Sequence, residues 1–388
     1  MGEEIHLLAP GEAGGYHPRM LRRKLGNTGL EVSALGFGGF HLVEIPASDA
    51  ASLLNTYLDR GGNYIETAAG YGDGISETKI GRAVAGRRGE YVLATKSAER
   101  SRGGLLAQLD RSLGNLRTDH VDVMFMHCVQ SREEVERILG EDGALEGARE
   151  AITAGKIRFV AISGHGRPDA LLYALERGRF DVLMTGFNYY DRFNYPSLEA
   201  ELLPLCASQG VGVFAMKPLA DGYLHRSTAA ALRYSLALPV ASVVAGINSM
   251  EMLEADLAAV SGFTPMSEPE REELFRSAPE LGDYVCRQCG KCGTERFDPQ
   301  AIFLLEGLFD RQMDDMRVAD TALYALRERL KHWFAQQETA CAEYALLPRK
   351  VDPGADYSRL TALCPHGIDV DRKLKIAHQK LSRDPYIA

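Results

Sequence analysis

Eight short apolar runs alternate with longer helical stretches along this chain, and that alternation leaves few folds open. The runs are Ser33–Gly39, Asn63–Ala68, Tyr91–Lys96, Val121–His127, Ile157–Ser163, Val182–Asn188, Gly212–Lys217 and Ser242–Ile247. Each has strand length, is rich in β-branched or aromatic residues, and is bounded by Gly, polar or charged positions. Helical patterns such as Ala50–Arg60, Gly104–Leu116 and Glu133–Ala154 lie between them. Parallel strands need crossovers of this kind, so the pattern predicts an α/β chain folded as a (β/α)8 TIM barrel. The barrel is expected over residues 21–265, after a tail over 1–20 and before a C-terminal helical module over 266–388. Arg23–Val32, with a turn at Asn27–Gly29, reads as a hairpin closing the bottom of the barrel.

In such a barrel the C-terminal strand ends form one rim, and Tyr71, Lys96 and His127 each fall at or just beyond a different strand end. A Tyr beside a Lys and a His is a proton-transfer device. Hydride delivery to a carbonyl carbon leaves an alkoxide that needs a proton from a positioned acid. A free phenol is a weak donor at neutral pH, and a neighbouring ammonium is expected to lower its pKa. Tyr71 is therefore expected to act as acid/base, Lys96 to tune it, His127 to orient the carbonyl and Glu66 to hold Lys96. The ordinary alternatives are a rim aromatic, a solvated strand-end charge and a packed barrel histidine.

Several ordered motifs resemble the aldo-keto reductase family over roughly Leu21 to Val260. GGNYIETAAGYGDGISETKIG is similar to its signature, and LATK, SLGNLRTDHVDVMFMH and GKIRFVAISGH follow in the family's order. Glu66 stands where that family normally carries Asp; the extra methylene moves the carboxylate by about one bond length, enough to matter at a catalytic site. The resemblance implies an NAD(P)(H)-dependent oxidoreductase whose nicotinamide dinucleotide lies across the barrel mouth, in keeping with the absence of a G-x-G-x-x-G after a first strand. It puts Ser163 at the carboxamide, Gly164 where many members have Asn, Met184 where they have Gln, and Met216 where an aromatic often stacks. Gly39 and Lys217 complete that side. Gly246, Asn248, Ser249 and Asp256, in and after GINSMEMLEADL, mark the adenosine end or a plain βα turn. A 2′-phosphate favours Arg or Lys. This segment has neither, so NADP(H) and NAD(H) both stay open.

Beyond the barrel, Cys286-x2-Cys289-x2-Cys292 places three thiols in seven residues, and Cys364-Pro365 lies further on. Three close cysteines with a remote Cys-Pro is a ferredoxin-type arrangement, predicting a [4Fe-4S] cluster; zinc and free thiols are the alternatives. The sequence resembles a branch of the same family that carries such a motif, usually unbroken. Here Cys292 and Cys364 are separated by what reads as an insertion, with Leu323, Leu326, Leu330, Trp333 and Phe334 at helical spacing and Cys341 as a competing ligand. Such a cluster serves to staple or dock the module, or passes electrons, in which case a redox protein partner is implied.

A net charge of −9 argues against nucleic-acid binding. No apolar run reaches membrane-spanning length, the start lacks a signal-peptide pattern, and the cysteine use suits a reducing compartment, so a cytoplasmic protein is expected. The aromatic and polar residues of Phe187–Tyr195, with His41, His225 and Arg226, suggest a sugar-like carbonyl or alcohol substrate. Two other functions fit the same residues: a dinucleotide-binding sensor or docking subunit, and a cluster-based electron-transfer protein.

Overall fold

The computed structural model describes residues 20–166, 168–294, 297–311 and 336–383. Eight parallel strands close into a barrel: β3 Leu35–Gly38, β4 Tyr64–Glu66, β5 Val92–Ser97, β6 Val121–Met126, β7 Ile157–Ser163, β8 Val182–Gly186, β9 Gly212–Met216 and β10 Ser242–Gly246. Closure comes from β10 pairing with β3, Val243 opposite Leu35. Every expected strand is present, and six of the eight are one to three residues shorter than the apolar run that announced them. The expected hairpin is β1 Arg22–Lys24 with β2 Glu31–Ser33, antiparallel. Its Leu25 and Val32 are fully buried and join the barrel interior, and the Asn27 amide donates to Gly210 O at 2.8 Å, which pins the hairpin across the bottom.

Two apolar layers result from the period-two alternation of each strand. Tyr64, Ala94, Phe125, Met184 and Phe214 fill the inside, with Tyr64 and Phe214 stacked at 4.0 Å. The opposite strand faces meet the surrounding helices: α1 Ala47–Asp59, α2 Ile75–Val84, α3 Arg102–Leu116, α4 Arg132–Leu139, α5 Ala144–Thr153, α6 Pro168–Arg177, the short α7 Asp191–Asn194, α8 Leu203–Gln209, α9 Thr228–Ala237 and α10 Met250–Ser261. One expectation is corrected here. The pattern over Glu133–Ala154 is two helices, because Asp142 takes a left-handed φ of 54° and a Cβ on Gly143 would lie 2.4 Å from Ile138 O. Apolar spacing continues across that break, which is why the sequence reads as one helix.

The charged stretch after the barrel forms α11 Glu268–Ser277, which buries no residue and starts with a Ser267/Glu270 capping box. α12 Pro299–Asp310, α13 Gln337–Leu346, the single turn α14 Ser358–Thr361 and α15 Val370–Ser382 follow. Their apolar faces form a second core around Phe303, Tyr344 and Leu374. Inside it, Lys373 pairs with Glu306, and Lys380 reaches Glu306 and Asp310 at 3.1 and 2.6 Å. Leu323, Leu326, Leu330, Trp333 and Phe334 lie outside the described residues.

Candidate active site

β4, β5 and β6 are neighbours in the barrel, so residues at their C-terminal ends are brought together by strand pairing alone. Gly38 pairs with Glu66, Glu66 with Ala94 and Lys96 with Phe125. Glu66 and Lys96 thereby meet across adjacent strands, His127 follows β6, and Tyr71 hangs from the loop after β4. All four are buried, with exposures between 2 and 8%.

The Lys96 ammonium donates to the Glu66 carboxylate, to Thr67 O at 2.9 Å and to the Tyr71 hydroxyl at 3.0 Å. An ammonium has three protons and no acceptor, so the Tyr71 oxygen is an acceptor here and its own proton must point elsewhere. Phe40 packs edge-on to Tyr71 at 5.0 Å and the His127 ring lies 5.9 Å from it. A second layer holds these groups: Thr67 donates to Ser76, Ser76 donates to Gly39 O, and buried Glu77 accepts from Thr95 and Asn115. Arg100 donates to His127 O at 2.8 Å and to Cys128 O, bracing a turn in which Cys128 is left-handed with φ 55°.

The electrostatics correct one expectation. Tyr71 is pushed up rather than down, first by burial and then by the Glu66 carboxylate and the Cys128 thiol. Lys96 already spends its charge on Glu66, and burial draws both partners toward neutrality: Glu66 is raised and Lys96 lowered, with the pairing opposing each shift. His127 is held well below the usual imidazole value by burial, then by Lys96 and Arg100, so it stands neutral at pH 7. The resting arrangement is a protonated phenol beside an ion pair and a neutral imidazole.

Most of the residues expected at a cofactor stand around the same rim. Ser163 ends β7, its hydroxyl accepting from the Cys128 amide at 3.2 Å. Gly164 follows, where a Cβ would lie 2.9 Å from Val129 O. Met216 ends β9 and Lys217 follows it, paired with Asp221 at 3.3 Å. Gly39 follows β3 and admits no Cβ against Glu66 O and Ser76; Gly246 ends β10, where a Cβ would strike the His41 ring. Asn248 donates to Glu44, which also bonds His41, and the other Glu44 carboxylate oxygen is buried with no hydrogen-bond partner among the described residues. Ser249 caps α10 by accepting from the Met252 amide at 3.2 Å. Met184 pairs with Ser163 across β7 and β8, level with it, and packs inside the barrel. Asp256 sits apart, on the buried face of α10, pushed up by burial to about 7. Among the substrate-loop candidates, His225 and Arg226 are exposed.

His165 was not singled out from sequence. It is buried, its ring lies 6.5 Å from that of His127, and its pKa is held down by burial, Lys217 and His127. Its position two residues past the end of β7 was the available signal.

In the module, Cys286, Cys289, Cys292 and Cys364 line one small cavity with Phe303 and Ile368. Burial pushes the Cys286 thiol up to about 11, with Cys292 and Cys289 adding to the shift. Cys341 is elsewhere, its thiol against Lys380 O. Among the described residues no three His, Cys, Asp or Glu side chains already form a metal-binding group. None of the seven cysteines is in a disulfide, and no helix among the described residues is long and apolar enough to cross a membrane.

Comparison with known proteins adds the following. A family model described as "Aldo/keto reductase family" matches residues 34–229. L-galactose dehydrogenase of Arabidopsis thaliana is 31% identical over 290 residues, 62% of this chain and 88% of the plant enzyme. The uncharacterized oxidoreductase YqkF of Bacillus subtilis is 27% identical, over 62% of this chain and 92% of its own. Among solved structures, the holo form of aldo-keto reductase AKR11C1 from Bacillus halodurans superposes with a TM-score of 0.59 at 27% identity, covering 70% of this chain and 99% of that one. An aldo-keto reductase of Klebsiella pneumoniae in complex with NADPH superposes at 0.55 and 22% identity, over 67% of this chain and 96% of that one, a likeness of fold.

Proposed function

Since the chain belongs to the aldo/keto reductase family of oxidoreductases, we propose that it moves hydride between a nicotinamide dinucleotide and a carbonyl or alcohol, with Tyr71 as acid/base. The observation that carries this reading is the Lys96 ammonium 3.0 Å from the Tyr71 hydroxyl while paired with Glu66. The bound dinucleotide supplies the hydride. Tyr71, protonated at rest and with its oxygen already accepting from Lys96, donates its proton to the oxygen of the reduced carbonyl. Neutral His127 offers a ring N–H to that oxygen and fixes its direction. In the oxidation direction the same phenol must lose its proton, so that rate rises with pH. The residues suit the cofactor: small Gly39 and Gly246 at the mouth, Ser163 and Lys217 at one end, and Asn248 with the orphaned Glu44 oxygen at the other.

A hydroxylated, sugar-like substrate is the class favoured. Support comes from the 31% identity to a plant L-galactose dehydrogenase and from the neutral hydrogen-bonding His165 beside His127. The four cysteines around one cavity support a [4Fe-4S] cluster held by Cys286, Cys289, Cys292 and Cys364. Anaerobic purification with iron and sulfide determination tests it; protein free of both sinks the cluster.

The test of the main reading is Tyr71→Phe assayed with aldose sugars and NADPH or NADH, beside titration of nicotinamide fluorescence. Turnover should fall by about 10²–10⁴-fold with cofactor binding retained. Unchanged turnover removes Tyr71 from the chemistry.

A further inference from the structure

At the end of α12 the C-terminal module places a buried charge, Arg311, against the barrel rim. Arg311 is 2% exposed and donates to both Asp191 oxygens, at 2.6 and 2.9 Å, and to Asp221 Oδ2 at 2.9 Å. Asp191 belongs to the loop after β8 and Asp221 to the loop after β9. Both carboxylates lead to Lys217. Asp221 Oδ2 is also the partner of the Lys217 ammonium, at 3.3 Å. Asn188 bonds Asp191 at 2.9 Å and Lys217 O at 3.0 Å through its amide nitrogen. Arg311 is therefore linked to the Lys217 side chain through Asp221 and to its backbone through Asp191 and Asn188.

The loop needs such a hold. Lys217, Ala220 and Asp221 all take left-handed backbone conformations, with φ of 57, 49 and 54°. Non-glycine residues in that region are strained and persist only where surrounding contacts over-determine them. Among the described residues the charges also balance: two buried carboxylates face two cations. Without Arg311, both carboxylates would compete for Lys217, draw its ammonium inward, and leave one negative charge beside a mouth that must accept an anionic dinucleotide.

We propose that Arg311 is a positioning residue for Lys217, by which the C-terminal module sets the affinity of the barrel for its dinucleotide. This rests on the cofactor reading given above. The test titrates anaerobically purified full-length protein with NADPH and with NADH. In Arg311→Gln the dissociation constant and the KM for the cofactor rise by about tenfold or more, while kcat at saturating cofactor stays within about twofold. Adding Asp221→Asn releases Lys217 and restores the affinity to within about threefold of the parent, a rescue that a purely structural role does not produce. Arg311→Lys, which keeps the charge but loses the fork, binds more weakly than the parent and more tightly than the glutamine variant; should the latter not fold, the lysine variant carries the test alone through its rise in KM at constant kcat. Parent-like affinity in both Arg311 variants overturns the proposal, as does a joint loss of kcat and affinity that Asp221→Asn does not reverse. Parent protein that binds neither dinucleotide overturns the cofactor reading itself, an outcome visible before any variant is made.

Discussion

Two buried charge clusters share one barrel rim and are built in opposite ways. Glu66, Lys96 and Tyr71 come from consecutive βα units, at separations of 25 and 30 residues from Lys96. Arg311 reaches Asp221 across 90 residues and Asp191 across 120. In the first cluster a single cation is surrounded by acceptors and one of these is a phenol with a proton to give. In the second, among the described residues, two cations offset two carboxylates. Convergence between neighbouring strands makes the chemistry, and contact across the whole chain holds the loops around it.

The comparison breaks most visibly when one charge is removed from either cluster. Lys96→Met strands Glu66 in the barrel, and Arg311→Met leaves Asp191 and Asp221 to share Lys217, with one carboxylate uncompensated. Each should cost about 3–5 kcal/mol in chemical denaturation, because an uncompensated buried charge remains. Lys96→Met/Glu66→Leu should recover most of that stability and none of the turnover, which separates folding from chemistry in the first cluster. A double variant that recovers turnover would show that Lys96 is no more than a charge partner.

Acid should part the clusters next. His127 and His165 are held below their unfolded value of about 6.5. Their contribution is complete above that value, and it falls as pH drops below it, since the unfolded chain takes up protons that the native site refuses. The slope is up to about 1.4 kcal/mol per pH unit for each group. Asp191 is depressed by Arg311 against the opposing effect of burial, so its contribution is complete above about 3.9 and falls only as pH drops toward its lower native value. Unfolding free energies measured from pH 7.5 to 4.5 should therefore decline first with the histidines, and His165→Gln should remove about half of that slope. A flat profile over this range would show that neither imidazole is as buried as the structure has it.

The smallest expected effect tests the segment that joins the two regions. Ser267→Ala removes the α11 capping box and should cost about 1 kcal/mol. Because α11 buries no residue, the loss should appear as local fraying in hydrogen exchange and leave turnover unchanged. A drop in turnover would show that α11 couples the module to the barrel more tightly than its exposure implies.

The sequence by itself determined the barrel, its bottom hairpin, the three rim residues and Glu66. Strand alternation and turn residues are local, and strand ends on neighbouring strands meet wherever a parallel barrel closes. The break at Asp142–Gly143 was hidden because apolar spacing ran through it. The direction of the Tyr71 shift was also out of reach: it depends on how far Glu66 offsets Lys96 and how deeply the phenol is buried. The three close cysteines and the remote Cys-Pro already pointed to Cys364, which joins them at one cavity. Only the tertiary structure decided that His165 stands beside His127 and that Arg311 from the module closes on Asp191 and Asp221. These pairings cross long stretches of chain, and no periodicity or short motif carries a contact made by packing alone.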